Sequence, residues 1–416
     1  MRRERRDPRP GWRERVEQQG LTYAVDRDGD GTERPYWHEG AAYVFSADQI
    51  EHLEAVTERL HAKSVEAAHA MAADERYRRA LGLEPWAWDY VRHSLAQAGS
   101  AADGVPSLYG RFDLAWDGEG PVKLLEYNAD TPAGLVEAAV CQWFWLEDVL
   151  PDRDQWNLLH EFLVATWRRI GADVPDRVVH LAVGRDEPDE DWATVAYLRD
   201  TAQEAGLVAL GITMESIGWD AARRLFVDER DRSIELCFAM YPWEWLLSED
   251  FGPYVAGAAG GRGEPAPTTW LEPAWKLLLG SKALLAALWE TFPGDDDLLP
   301  ASLDGPGDLR RWVSKPVFGW EGAGIEVVAQ GAPLQVQPDG GTSGQARVWQ
   351  EFVDLPVFDG ARPVLGTWVV GGRPAGLGIR ESDGLVTDAR ARFVPHWIDT
   401  PRSTPEQIAR WVAGQD

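Results

Sequence analysis

Residues 107–128 limit what this chain can fold into more than any other stretch. "SLYGRFDLAW" (107–116) and "PVKLLEYN" (121–128) both read as strands, and Asp117-Gly-Glu-Gly120 between them is a turn signal, so a hairpin is expected. The polar residues are the constraint. Charged side chains alternating with apolar ones are costly to bury unless they are paired. With residues 117–120 as the loop, Trp116 faces Pro121, Arg111 faces Glu126 and Asp113 faces Leu124. Side chains repeat every second residue, so Arg111, Asp113, Glu126 and Asn128 share one face. Two carboxylates and an amide oxygen beside an arginine suit Mg²⁺, which takes few protein ligands and completes its shell from substrate phosphates and water. The same set also reads as an arginine–carboxylate network that ties the hairpin together.

The 416 residues allow two or three domains or one composite enzyme with a large core. No apolar run approaches the ~20 residues of a membrane span. The first residues, "MRRERRDPRP", are basic without a following apolar stretch, which excludes a secretory signal; residues 1–9 read as a flexible basic tail. Cys141 and Cys237 both lie among apolar residues and read as buried thiols, which makes the cytoplasm the default location. A net charge of −27 argues against nucleic acid as the main ligand; it reads first as a means of solubility and is also compatible with a cationic substrate such as a polyamine. It carries no information on oligomeric state.

Ser46 and Gln49 make a capping box for a helix over 46–72. Thr131 or Asp130 can cap the next helix, "LVEAAVCQWFWLEDVL", with Pro132 near its start, and residues 155–170 continue as helix. From about 177 the pattern is βαβ: "RVVHLAV", the helix "DEDWATVAYLRDTAQEAG", "ITMESI", then the strand "SIELCFAMY" and a short helix "PWEWLLSED". Gly and Pro thicken over 252–267, a candidate flexible connection. "EPAWKLLLGSKALLAALWETF" reads as helical, and short Val- and Gly-rich strands fill the last third, with residues 399–416 as a C-terminal tail.

Four more features carry chemistry. In "SKPVFGWEGAGIEVV" (314–328) Lys315 ends a strand, and Gly319, Gly322 and Gly324 allow backbone N–H groups to approach phosphate oxygens; a plain glycine-rich hairpin is the alternative. In "VWQEFVDLP" Glu351 and the Phe352 and Val353 backbone can meet an adenine edge. Arg380 ends the apolar strand "GLGIR", where it can meet a phosphate, a carboxylate or an acidic neighbour. Lys282 sits in an apolar helical pattern and needs a partner or must snorkel. Together these are the parts of ATP-dependent carboxylate activation.

At this point the sequence resembles the synthetase part of the glutathionylspermidine synthase family. The motifs are "YGRFDLAWDG", "LLEYNADTP", "WLEDVLP", "YPWEW", "LEPAWKLLLGSKALLAALWETFP", "VSKPVFGWEGAGI", "QEFVDLP" and "GIRE", in the family's order across about residues 10–398. The resemblance is to the synthetase-only branch, without the amidase domain that some relatives carry in front. It implies a mixed α/β ATP-grasp fold with a Rossmann-like βαβ subdomain (about 177–250), a metal-site hairpin with its helices (107–170), a glycine-loop lid lobe (270–345) and an adenine- and phosphate-side sheet (346–398). It implies ATP and Mg²⁺, with Asp113, Glu126 and Asn128 as metal ligands and Arg111 stabilising the acyl phosphate. It also implies Lys282, Lys315 and the loop Gly319–Gly324 on the phosphates, Gln350, Glu351, Phe352 and Val353 along the adenine, and Arg380 on phosphate or substrate. Glu244 falls near the amine, and Thr131 begins a stretch, Thr131-Pro132-Ala133-Gly134, where relatives have small hydroxyl or thiol residues. The implied activity joins a peptide or glutathione-like carboxylate to a polyamine or other amine. A phosphotransferase on the same fold, or a nucleotide-binding protein without turnover, are the other readings.

Overall fold

A computed structural model describes residues 1–27, 31–98, 107–257 and 267–414. The central element is an antiparallel five-stranded sheet in the order Arg392–Phe393, Arg373–Ser382, Arg362–Val370, Tyr109–Ala115, Lys123–Asn128. Strands from the expected 107–170 and 346–398 blocks therefore belong to one sheet. A second antiparallel sheet (Ala301–Ser302, Arg347–Glu351, Arg311–Pro316, Glu326–Ala329, Ala332–Val336) carries the glycine loop between its third and fourth strands. A third sheet is all parallel, in the order Thr269–Leu271, Leu236–Met240, Val178–Val183, Val208–Thr213, with the crossover helix Asp189–Glu204. "ITMESI" is strand only to Thr213; Met214–Ser216 form a 3₁₀ turn.

The hairpin register differs from the expected one in an instructive way. Ala115 pairs with Lys123 and Leu114 with Leu124, one residue out of step; a bulge then follows, and Asp113 pairs with Glu126 and Arg111 with Asn128. The extra residue, Leu125, restores the parity that a one-residue slip would have destroyed. Arg111, Asp113, Glu126 and Asn128 share a face, while Phe112, Leu114, Leu124 and Tyr127 fill the core behind them. Phe112 and Tyr127 stack across the strands at 3.7 Å, a pair worth about 1 kcal/mol beyond its buried area.

The helix Ala47–Ala72 begins at the Ser46–Gln49 capping box and lays Leu53, Val56 and Leu60 against this core. Other helix expectations need correction. Neither Thr131 nor Asp130 caps the following helix: Asp130 Oδ2 instead accepts the Trp243 N–H at 2.8 Å. The chain enters a π-turn over Glu137–Cys141 before the α-helix Gln142–Val149. Residues 155–158 are outside the next helix, Leu159–Ile170. The long apolar helix breaks at Ser281 into Lys276–Gly280 and Ala283–Thr291, which puts Lys282 at a corner.

Residues 1–9 are not a flexible tail. Arg2–Arg5 form a strand on Ala41–Phe45, in a sheet with His396–Pro401 and Arg153–Asp154. Arg3 makes a bidentate pair with the fully buried Glu381 (2.9 Å to each oxygen), which also accepts from Tyr43 Oη at 2.9 Å. Arg9 pairs with buried Glu39 at 2.6 Å. The C-terminal stretch is likewise ordered: the Thr404–Gln407 capping box starts a helix over Pro405–Ala413. Cys141 and Cys237 are buried free thiols. In the glycine- and proline-rich 252–267 stretch, Gly252–Val255 is helical and residues 258–266 lie outside the described residues. Among the described residues no helix is long and apolar enough to cross a membrane.

Candidate active site

The hairpin face and the glycine loop meet in a cleft of about 850 Å³, counted to its open mouth. Asp113, Glu126, Lys282, Lys315, Gly319, Gly322, Gln350, Glu351, Phe352, Val353 and Arg380 all line it, although they come from five separate stretches of the chain. Val313, Ile325, Val327 and Leu355 supply an apolar wall. Arg111 faces a smaller hollow that adjoins the cleft through Asp113 and Arg380.

Charge in the cleft is balanced pair by pair. Asp113 is buried and accepts from Arg111 Nε at 2.7 Å and Arg380 Nη2 at 2.9 Å. Glu126 lies 3.3 Å from Lys282 Nζ and accepts from Asn128 Nδ2 at 3.2 Å. Burial alone would raise Glu126, but Lys282, Lys315 and the Asn128 amide together hold it at about 2. Burial lowers Lys315 to about 8, with Glu126 opposing that and Lys282 adding to it. Glu126 is thus ionised and available to a cation. Among the described residues no three His, Cys, Asp or Glu side chains converge as a self-sufficient metal cage. Asp113 and Glu126 in the cleft, with Asn128 hydrogen-bonded to Glu126 beside it, fit a Mg²⁺ held partly by substrate phosphates.

The bulge also explains the second lysine. Its carbonyls leave the regular ladder, and Lys315 Nζ donates to Leu125 O at 2.8 Å while Gln350 Nε2 donates to Leu124 O at 3.1 Å. Lys315 also donates to Gln350 Oε1 at 2.9 Å, so Gln350 is spent on orienting the lysine. Lys282, freed by the helix break, donates to Gly319 O at 2.6 Å.

Gly366 makes room for Arg111. It stands in mid-strand opposite Asp113, and a Cβ there would lie 3.0 Å from Arg111 Cδ. The guanidinium continues to the Ala133 carbonyl and lies beside Gly134, so the second half of the Thr131–Gly134 stretch sits at the arginine tip.

Not every expected residue takes its expected place. The Gly324 N–H is occupied by Pro338 O at 2.7 Å, and a Cβ at Gly324 would meet Thr342 Oγ1 at 2.3 Å; this glycine serves the loop's packing and not a phosphate. The Phe352 N–H donates to Arg311 O at 3.1 Å and so does not face a base. Thr131, Asn128 and Glu244 are outside the cleft lining. Glu244 lies on the short helix Trp243–Leu246, raised to about 7 by burial, which its own backbone N–H and Lys282 only partly offset.

Several acids were missed. Glu137, fully buried in the π-turn, accepts from Tyr36 Oη at 2.7 Å and is raised by burial. Glu190, in the first turn of the crossover helix, is pushed up to about 8 by burial and by the Glu137 and Asp191 carboxylates. The only sequence signals were an acid within the apolar run "LVEAAV" and the acidic run "DEPDED".

The glutathionylspermidine synthase preATP-grasp profile matches residues 3–399. The chain belongs to that family. A Haemophilus influenzae protein provisionally named an acid–amine ligase is 37% identical over 91% of this chain and 94% of its own length. The trypanothione synthetase of Crithidia fasciculata is 24% identical over 89% of the chain, and the bifunctional glutathionylspermidine synthetase/amidase of Escherichia coli is 23% identical over 85%. This family member spans 58% of the length of each of those two. A solved glutathione synthetase-like effector from Globodera pallida superposes with a TM-score of 0.55 at 12% identity, over 94% of this chain and 98% of that one. The fold is therefore the mixed α/β ATP-grasp fold of glutathione synthetase-like proteins. The match from residue 3 onward includes the N-terminal strand, in keeping with Arg3 being part of the fold.

Proposed function

We propose that this protein is an ATP- and Mg²⁺-dependent ligase that joins a carboxylic acid to an amine through an acyl phosphate. The observation that carries the reading is the convergence of Asp113, Glu126, Lys282, Lys315 and Arg380 around a glycine loop in one cleft. A relative named for acid–amine ligation, aligned over almost its whole length, supports it.

In this reading Asp113, Glu126 and Asn128 hold Mg²⁺, which when bound neutralises charge on phosphate oxygens. Lys282, Lys315 and the loop from Gly319 to Gly322 take the ATP phosphates. The apolar wall with Glu351 and Val353 takes the base. Arg111 and Arg380 bind and orient the substrate carboxylate. A carboxylate oxygen attacks the γ-phosphorus, and the bond to ADP breaks. The amine nitrogen then attacks the acyl carbon, the C–O bond to phosphate breaks, and the nitrogen loses a proton. The protein's part is positioning and electrostatics, with Arg111 opposite the charge that develops on the acyl and phosphoryl oxygens. Glu137, Glu190, Asp191 and Glu244 form the acidic side that would receive a cationic amine, and the stretch that Thr131 begins borders the acid's pocket at Ala133 and Gly134. The names of the more distant relatives make glutathione-like acids and polyamines the first substrates to try.

The test is a panel of acid and amine pairs with ATP and Mg²⁺. ADP and phosphate should be released only when both partners are present, and Asp113→Asn or Glu126→Gln should lower turnover about 100-fold or more while the chain stays folded. A stable phosphorylated acceptor in place of an amide would indicate the phosphotransferase; ATP binding without turnover across the panel would indicate neither.

A further inference from the structure

Trp320, at the tip of the glycine loop, is 51% exposed and lines the cleft beside Lys282. Its ring meets Trp245 edge to face, with centroids 5.4 Å apart at 78°. Trp245 in turn meets Tyr241 at 5.5 Å and 77°. Trp245 lies on the short helix that follows the strand Leu236–Met240 of the parallel sheet, whereas Trp320 belongs to the antiparallel lid sheet. The contact therefore bridges two separate parts of the fold across the cleft.

Both roots of the loop are fastened. Lys282 holds Gly319 O at 2.6 Å, and Arg347 Nη2 holds Gly324 O at 2.6 Å. Between them Glu321 and Gly322 take left-handed conformations, with φ of 51° and 74°. The Glu321 carboxylate adds to burial and to Glu187 in raising Asp191 to about 6, so the loop approaches the crossover helix as well. In the ligase reading the bridge stands at the phosphate end, because Lys282 reaches Glu126 and also holds Gly319 next to Trp320. One edge-to-face pair is weak enough to be broken and remade in each turnover.

We propose that Trp320 and Trp245 form an aromatic latch that closes the phosphate end of the cleft and sets how tightly ATP cleavage is coupled to amide formation. The proposal rests on the ligase reading above. An acyl phosphate is open to water: a water oxygen attacks the acyl carbon, the C–O bond to phosphate breaks, and acid and phosphate return with ADP spent and no amide made. A closed latch keeps that water out until the amine arrives. Neither tryptophan touches the reacting atoms in this scheme; both act by holding the loop.

Two experiments test the latch. The first measures ADP released per amide formed. Wild type should stay near one. Trp320→Ala and Trp245→Ala should rise several-fold, and Trp320→Phe, which keeps an aromatic ring, should return toward wild type. A ratio unchanged in both alanine variants overturns the proposal. The second needs no ligase chemistry and so separates failure of the latch from failure of the ligase reading. A glutamate-specific protease cuts at Glu321, and Trp245→Ala leaves the loop sequence intact. Cleavage should be several-fold faster in Trp245→Ala than in wild type, with unfolding temperatures compared to exclude global loosening. Equal cleavage rates at equal stability overturn the latch whatever the substrates prove to be.

Discussion

The carboxylates on the two sides of this site are treated in opposite ways. On the cleft side Asp113 is met by Arg111 and Arg380, and Glu126 by Lys282 with Lys315 nearby. On the side toward the parallel sheet, burial raises Glu137, Glu190, Asp191 and Glu244, and neighbouring carboxylates add to it at Glu190 and Asp191. The first arrangement holds charge ready in the absence of any ligand. The second accepts protons unless a cation arrives. One side thus carries paired, charged carboxylates and the other carboxyls that burial raises despite Arg111, Arg380 and Lys282 nearby, a contrast that suits the proposed reaction of ATP, an acid and a cationic amine.

The contrast can be broken most severely at Arg111. Arg111→Ala removes one of two partners of a buried carboxylate and the contact to Ala133; we expect a loss of about 3 kcal/mol in denaturant titration and a fall in kcat/KM of about 100-fold. An unchanged midpoint and activity would mean that Arg380 alone compensates Asp113. A smaller break is Lys282→Met, which leaves Glu126 with Lys315 alone and the Gly319 carbonyl without its donor. The Kd for ATP should rise about tenfold, as calorimetry can measure.

The smallest effect sharpens the other side. Glu190 holds a proton in the folded chain up to about pH 8, whereas an unfolded glutamate releases it near 4.5. Between those values the folded state binds more protons, so this group makes the protein less stable as pH rises. Glu190→Gln should raise Tm by roughly 2 °C at pH 8.5 and hardly at all at pH 5. A difference independent of pH would show that Glu190 is not held neutral. A bound amine should abolish the difference by stabilising the ionised form.

Much of this was legible in the sequence, for local reasons. The capping box of Ser46 and Gln49, the alternation in the hairpin and the βαβ pattern all act between near neighbours. The shared face of Arg111, Asp113, Glu126 and Asn128 was reached through a register that proved two residues off, and it survived because the bulge at Leu125 makes the shift even. What was not legible depends on distant partners. Arg3 reads as part of a basic tail because Glu381 is 378 residues away. Gln350, which the family resemblance sets along the adenine, also holds Lys315 and the Leu124 carbonyl, and nothing local shows either partner. Gly366 was an available signal left unread: a glycine inside a strand often marks a close approach, here that of Arg111.

The central claim is that the acid is activated by phosphoryl transfer before the amine attacks. It is tested most directly with the acid–amine pair that supports turnover, the acid carrying ¹⁸O in its carboxylate. Each inorganic phosphate released should carry one ¹⁸O from the acid, in step with amide formation. Amide formed with unlabelled phosphate would contradict it.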